Sequence, residues 1–179
     1  KIPAGASGPH RGAGAPCVPF YPLGVAGLAI AHAYSIAGAH HAVRGVALGE
    51  ADLRADLGVR DDAGLDWPRS RVVIAARAAG LDPPVMSVFP DVRDLSGLRS
   101  SCAHGRNLGL LGRAAIHPRQ LPVIERAFRP TAREVEAAEE VLEASRTGAG
   151  AQALPDGRFV DAAVVATAER TLSLARRRR

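Results

Sequence analysis

Apolar and polar positions fall into alternating blocks along the chain, and each block predicts one element. Residues 43–48 (VRGVAL) form a short apolar run before Gly49, the pattern of a buried strand. Residues 69–79 carry a helical period that Gly80 stops. Residues 85–89 predict a second strand, entered through Pro83 and Pro84. Residues 95–108 predict a second helix, with Asp94 placed to accept hydrogen bonds from its first turn. Residues 114–116 predict a third strand, ended by His117 and Pro118. Upstream, residues 18–23 predict a short strand broken by prolines, and residues 26–39 a helix weakened by Gly27 and Gly38. Strands separated by helices indicate βαβ units and a parallel sheet.

After Pro118 the pattern becomes helical. Residues 121–127 predict a short helix. Thr131 with Glu134 three residues on is a capping box, and it opens the run TAREVEAAEEVLEAS. Gly148 and Gly150 end that run, LPDGRF is a turn, and residues 160–175 predict a last helix with Val164, Val165, Ala168, Leu172 and Ala175 on its apolar face. Residues 1–17 (KIPAGASGPHRGAGAPC) show neither period, and their Gly, Pro and Ala content reads as disordered or foreign sequence. The expected organisation is therefore an N-terminal segment over 1–24, an α/β domain over 25–130 and a helical extension over 131–179.

Length narrows the fold class. The 179 residues suit one ordinary domain and fall short of the roughly 250 residues of a complete α/β barrel. The chain is 47% hydrophobic and 23% charged, which argues for a globular protein. No apolar run approaches the ~18 residues of a membrane span. Residues 16–36 are apolar but interrupted by Pro19, Pro22 and glycines, so no signal peptide is expected. The net charge of +5 invites a nucleic-acid reading, but four of the 23 basic residues are the terminal run 176–179. The body holds 19 basic against 18 acidic residues, and no aromatic side chains interleave with the arginines to stack bases. No nucleic-acid or membrane partner is expected. Cys17 and Cys102 form no disulfide framework and have no zinc-ligand spacing. A reducing, cytoplasmic setting is the expectation.

Catalytic groups of parallel α/β proteins sit at the carboxyl ends of strands, and three candidates fall there or near an apolar helix start. Gly49-Glu50-Ala51-Asp52 follows the first clear strand. Two carboxylates so close can hold Mg²⁺, which prefers oxygen ligands; the plainer alternative has Asp52 capping the next turn and Glu50 in solvent. His117, before Pro118, can donate a hydrogen bond to an anionic or carbonyl oxygen, or merely fill a rim. Asp161, in DGRFVDAAVV, can do acid/base work beside apolar neighbours or serve as an ordinary helix-start aspartate. Asp61 and Asp62 read as solvated loop residues, and His40 and His41 as surface residues. No GxGxxG, Walker or GxSxG motif occurs.

Five stretches taken in order, GVALGEADLRADLGV, WPRSRVVIAARAAGLDPP, DLSGLRSSCAHGRNLGLLGRAAIHPRQLPVIERAF, RPTAREVEAAEEVLEA and DGRFVDAAVVATAERTL, resemble the C-terminal half of the citrate lyase β-subunit-like proteins of the HpcH/HpaI aldolase superfamily. That superfamily includes malyl-CoA and citramalyl-CoA lyases. The resemblance runs from about Ala33 to Ala175. It implies a TIM barrel with C-terminal helices, here present as an incomplete (β/α)8 barrel, and assembly into trimers or hexamers. It implies Mg²⁺-dependent cleavage or formation of a carbon–carbon bond beside a CoA or acyl-carrier-protein thioester, with release of an α-keto acid. By the same resemblance Asp52 is the metal-binding aspartate, Asp161 the acid/base that acts across a subunit boundary, His117 and Pro118 the motif beside the substrate channel, and Gly49 and Glu50 its companions. Arg69 and Ser70 match a largely structural pair.

The chain departs from the pattern in two ways. Gly-Glu-Ala-Asp replaces Gly-Ala-Glu-Asp, which displaces the glutamate by one position. The family's second metal carboxylate falls, by spacing, at Val25 or its neighbour, and no carboxylate occurs between Lys1 and Gly49. A truncated or frameshifted copy would explain the missing carboxylate. The expectation is a carbon–carbon lyase acting on a 3-hydroxyacyl-CoA thioester (malyl-, citramalyl- or citryl-type) with weak or no turnover as this chain. The rivals are a non-catalytic remnant that packs against a full-length relative, and an aldolase acting on a free hydroxy-keto acid.

Overall fold

In the computed structural model, residues 18–147, 152–153 and 157–176 are described. The chain divides into two compact units, Lys1–Ala127 and Phe128–Arg179. The predicted features within 1–17, Cys17 among them, lie outside the described residues, as do Gly148, Gly150 and the first half of the LPDGRF turn.

The first unit opens on an extended segment that ends in β1 (Leu23–Gly24) and runs parallel to the segment ending in β2 (Ala47–Leu48). A bridge from Phe20 to Val43 lengthens the pair. Its bonds are Phe20 N–H to Ala42 O, Arg44 N–H to Phe20 O, Ala47 N–H to Pro22 O and Gly49 N–H to Gly24 O, all between 2.9 and 3.1 Å. Pro19 and Pro22 donate nothing, so the ladder stays short. Between these segments the expected single helix is two, α1 (Gly27–Ala31) and α2 (Ala33–Ala37). The guanidinium of Arg71 explains the break. It donates to Ile30 O at 3.1 Å and Ala31 O at 2.8 Å, the carbonyls a continuous helix would use for its next turn.

Directly after β2 comes α3 (Glu50–Leu57), which the apolar pattern does not predict because it buries Leu53 alone. Its acidic first turn suits the positive end of the helix dipole, and Gly58 closes it in the left-handed conformation, φ 66°. Asp61 accepts from Ala63 N–H and starts a 3-10 turn, Asp62–Leu65, that feeds α4 (Asp66–Ala78). The helix therefore begins three residues before the expected Arg69. Ile30, Val46, Leu48, Leu53, Leu65, Val72 and Ala76 pack into one core. Each large aliphatic group so buried contributes about 1.5–3 kcal/mol.

The second and third expected strands are reduced to one parallel bridge, Met86 with Arg113. Met86 N–H donates to Gly112 O and Ala114 N–H to Met86 O. Pro83 and Pro84 have no N–H to extend the ladder, and residues 114–116 form no strand because Ile116 N–H is taken by the Gln120 side chain at 3.0 Å. Between them lies α5 (Leu95–Asn107), capped by Asp94 as expected, with Gly97 N–H to Asp94 Oδ1 at 2.7 Å. A 3-10 turn, Pro118–Gln120, leads to α6 (Leu121–Phe128).

In the second unit α7 (Ala132–Thr147) starts at the expected capping box. Thr131 N–H donates to Glu134 Oε2 at 2.7 Å and Glu134 N–H donates to Thr131 Oγ1 at 3.2 Å. An antiparallel pair, β3 (Gln152–Ala153) and β4 (Phe159–Val160), precedes α8 (Ala162–Arg176). Ala138 and Val141 of α7 pack with Val160, Ala168 and Leu172. No helix among the described residues is long and apolar enough to cross a membrane.

Candidate functional site

The carboxyl end of β2 is where sequence and structure converge. Gly49 links β2 to α3, and its place explains why it is glycine. A Cβ there would lie 2.6 Å from Val25 Cγ1 and 3.4 Å from Asp52 Oδ2. Val25, at the end of the neighbouring parallel segment, and Asp52, in the first turn of α3, thus meet over one backbone position. Both side chains are exposed to solvent.

Glu50, beside them, is engaged. Arg69 Nε donates to Glu50 Oε1 at 3.0 Å and Nη2 to Oε2 at 2.8 Å, a two-pronged pairing that fixes the carboxylate. The arginine side chain is 1% exposed. It also donates to Asp62 at 2.8 Å and to Asp66 at 3.2 Å. Arg54 reaches Asp62 at 2.8 Å, and His104 Nε2 lies 2.8 Å from Asp66. Burial disfavours the charge on Arg69, but the hydrogen bonds to Glu50 and Asp62 outweigh it and hold the guanidinium above its usual value. Asp62 is held below the ordinary carboxylate value, chiefly by its hydrogen bond from Arg69. Asp62 is 54% exposed, as expected of a solvated residue, and what the sequence did not show is its pairing with the buried cation that α4 supplies. Arg69 is the structural residue that the sequence suggested.

His117 and Pro118 stand together where the 3-10 turn begins. His117 Nδ1 accepts from Arg119 N–H at 3.1 Å, which leaves Nε2 as the ring nitrogen able to donate outward. Gln120, fully buried, anchors this end by donating from Nε2 to Phe89 O at 2.9 Å. Asp161 accepts from Ala163 N–H and Val164 N–H, both at 2.9 Å, and so caps α8. It belongs to the second unit and Asp52 to the first.

Sequence reasoning missed Gln120 and a second buried arginine, Arg113. Its guanidinium donates to Ser87 O at 3.0 Å, Ser101 Oγ at 2.7 Å and Met86 Sδ at 3.1 Å, and lies 5.7 Å from the centre of the Phe89 ring. Its Nε is buried without a partner. Burial pushes the nearby Cys102 thiol above its usual value, and Arg113 only partly opposes that. Cys102 is a free, buried thiol. A helical or strand period marks positions as apolar, so a polar side chain in the core leaves no signal.

The model of the HpcH/HpaI aldolase/citrate lyase family matches residues 26–118, more than half the chain and the stretch that holds Gly49, Glu50, Asp52, His117 and Pro118. The chain belongs to that family. A (3S)-malyl-CoA thioesterase of Cereibacter sphaeroides is 35% identical over 167 residues, covering 89% of this chain and 58% of that protein. The citrate lyase subunit beta of Escherichia coli strain K12 is 34% identical over 155 residues, 83% of this chain and 51% of that protein. Among solved structures, the protein CitE of Mycobacterium tuberculosis in complex with magnesium, acetoacetate and coenzyme A superposes with a TM-score of 0.72 at 31% identity, covering 87% of this chain and 59% of that one. The α/β fold of this family member is therefore similar to CitE, and the chain spans little more than half the length of these relatives.

Structures homologous to this chain hold magnesium. The residues here do not by themselves make such a site. Among the described residues no three His, Cys, Asp or Glu side chains gather where they could hold a metal ion. Asp52 is the carboxylate over Gly49, Glu50 is clasped by Arg69, and Asp56 of α3 accepts from Gly27 N–H at 2.7 Å. Facing Asp52 is the hydrocarbon of Val25, which offers a hard cation nothing.

Proposed function

We propose that this chain is the C-terminal half of a (β/α)8-barrel carbon–carbon lyase with its helical extension, built to act on a 3-hydroxyacyl-CoA thioester and short of one metal carboxylate. The family match over 26–118 carries this reading, because it spans every candidate residue of the first unit in the expected order. The relatives named for malyl-CoA and citrate support a substrate whose 3-hydroxyl stands beside a carboxylate. The division of labour is 25–130 for the barrel portion and 131–179 for the extension.

The chemistry asked of these residues is a retro-aldol cleavage. The bond between the α-carbon of the thioester and the hydroxyl-bearing carbon breaks, the hydroxyl loses its proton, and an α-keto acid leaves. The electron pair remains on the thioester as an enolate, which takes a proton at its α-carbon. Asp161 is the proposed proton carrier, working in the site of a neighbouring subunit of a trimer or hexamer. His117 Nε2 donates to a substrate oxygen, and Pro118 holds that histidine at the rim. Gly49 leaves room for substrate beside Asp52, and Glu50 keeps the start of α3 in place. In family members that hold magnesium, the metal would supply charge stabilisation to the keto acid, and Asp52 is the residue of this chain that would face it. The buried free thiol of Cys102 supports a reducing, cytoplasmic setting.

Incubation of the purified chain with malyl-CoA and Mg²⁺ tests the reading. Equilibrium dialysis should show the thioester bound, with weak or no release of acetyl-CoA and glyoxylate. No binding would sink the thioester assignment, and robust Mg²⁺-dependent cleavage would sink the incomplete site. A second reading, an assembly partner of an intact relative, is favoured by the apolar side chains along the first extended segment, where Val18, Tyr21 and Leu23 are 81%, 65% and 56% exposed. Gel filtration with and without an intact relative separates the two, since a chain that stays monomeric and binds nothing counts against partnership.

A further inference from the structure

We infer that the side chain at position 25, opposite Asp52, decides whether this chain holds a divalent cation, and that one carboxylate there completes a site which the backbone already frames. The inference rests on the reading above only in taking Asp52 as the first ligand.

The frame is visible on both sides of residue 25. Before it, Gly24 O accepts from Gly49 N–H at 2.9 Å. After it, Gly27 N–H donates to Asp56 Oδ2 at 2.7 Å. Both bonds tie residue 25 to the segment that carries Asp52, so the two positions cannot drift apart without breaking one of them. The parallel register of Gly24 with Leu48 sets their height along the sheet. The far side of that segment is held by Arg69, whose two bonds to Glu50 fix the first turn of α3. At the centre, the missing side chain of Gly49 leaves the space where Val25 and Asp52 meet.

Valine breaks this arrangement chemically and leaves its shape. Val25 is 37% exposed, so a longer, charged side chain there needs no cavity and can reach water. The V25E substitution would add a second carboxylate opposite Asp52, with the remaining coordination positions open to water or substrate oxygens. Mg²⁺ favours that combination of one or two carboxylates with several waters. Without the cation the two carboxylates would repel, so the added charge shows its effect as metal affinity.

The test measures binding of Mn²⁺, as a spectroscopic stand-in for Mg²⁺, from the loss of its free-ion paramagnetic signal, with no thioester present. The wild-type chain should show no saturable site in the low-millimolar range. V25E should bind one ion about tenfold or more tightly than the wild type. V25Q, of the same shape without the charge, should stay at the wild-type level, and adding D52N to V25E should return binding to that level. Circular dichroism checks the fold of each, and V25D supplies the carboxylate on a shorter stem if V25E does not fold. Wild-type binding as tight as that of V25E, or V25E binding indifferent to D52N, would overturn the inference. Because the assay contains no substrate, its failure is distinct from a failure of the lyase reading, which the malyl-CoA experiment decides.

Discussion

Arg69 and Arg113 are both buried in the first unit, and they are buried in opposite ways. Arg69 is met by three carboxylates, Glu50, Asp62 and Asp66. Arg113 is met by a carbonyl, a hydroxyl, a thioether and an aromatic ring, with Nε left over. The first knits three elements together: α3 through Glu50, the turn through Asp62 and α4 through its own backbone. The second fills space between the Met86–Arg113 bridge and Ser101 of α5. A buried cation with counter-charge organises its surroundings, and one without carries a desolvation cost that only weak neutral contacts offset.

The comparison is broken most severely at Arg69. R69M leaves Glu50 and its fellow carboxylates facing a buried thioether, and should lower stability by about 3–5 kcal/mol, read as the denaturant midpoint. A loss under about 1 kcal/mol would remove Arg69 from its organising role. E50Q keeps the shape and two of the three partners, so it should cost about 1.5–3 kcal/mol by the same measurement. An unchanged midpoint would show that Asp62 and Asp66 suffice.

Acid sharpens the contrast. Asp62 has its carboxyl pulled below the ordinary value in the folded chain. A group of that kind contributes stability above its unfolded value, and the contribution is lost as pH falls through the folded one. Stability should therefore drop below about pH 4, and D62N should flatten that part of the curve. An acid limb identical in D62N would assign the loss to other carboxylates. The smallest effect belongs to Arg113. R113M removes a buried charge that lacks counter-charge, at similar volume, and should change stability by no more than about 1 kcal/mol, or raise it. A large loss would mean that the contacts to Ser87 and Ser101 matter more than the charge.

The same residues mark how far the site is legible in the sequence. The strand-end position of Gly49 and Asp52 is readable because VRGVAL is a compact apolar run and glycine marks its end. The capping roles of Asp94 and Thr131 are readable because they depend on neighbours three residues away. Helix α3 is not, since a single buried leucine makes no period. Asp62 and Arg69 are two unrelated charges seven residues apart until the 3-10 turn and α4 fold one onto the other. The break between α1 and α2 is set by Arg71, some forty residues away.

The sequence by itself determined the family, the places of α4 to α8, the absence of a carboxylate between Lys1 and Gly49 and the capping chemistry, all of which are local or motif-borne. Only the tertiary structure decided that Val25 lies against Gly49 beside Asp52, that Glu50 is occupied by Arg69, and that one buried arginine is neutralised and the other is not. Those facts depend on which distant segments share a dielectric environment, and spacing along a chain does not encode that.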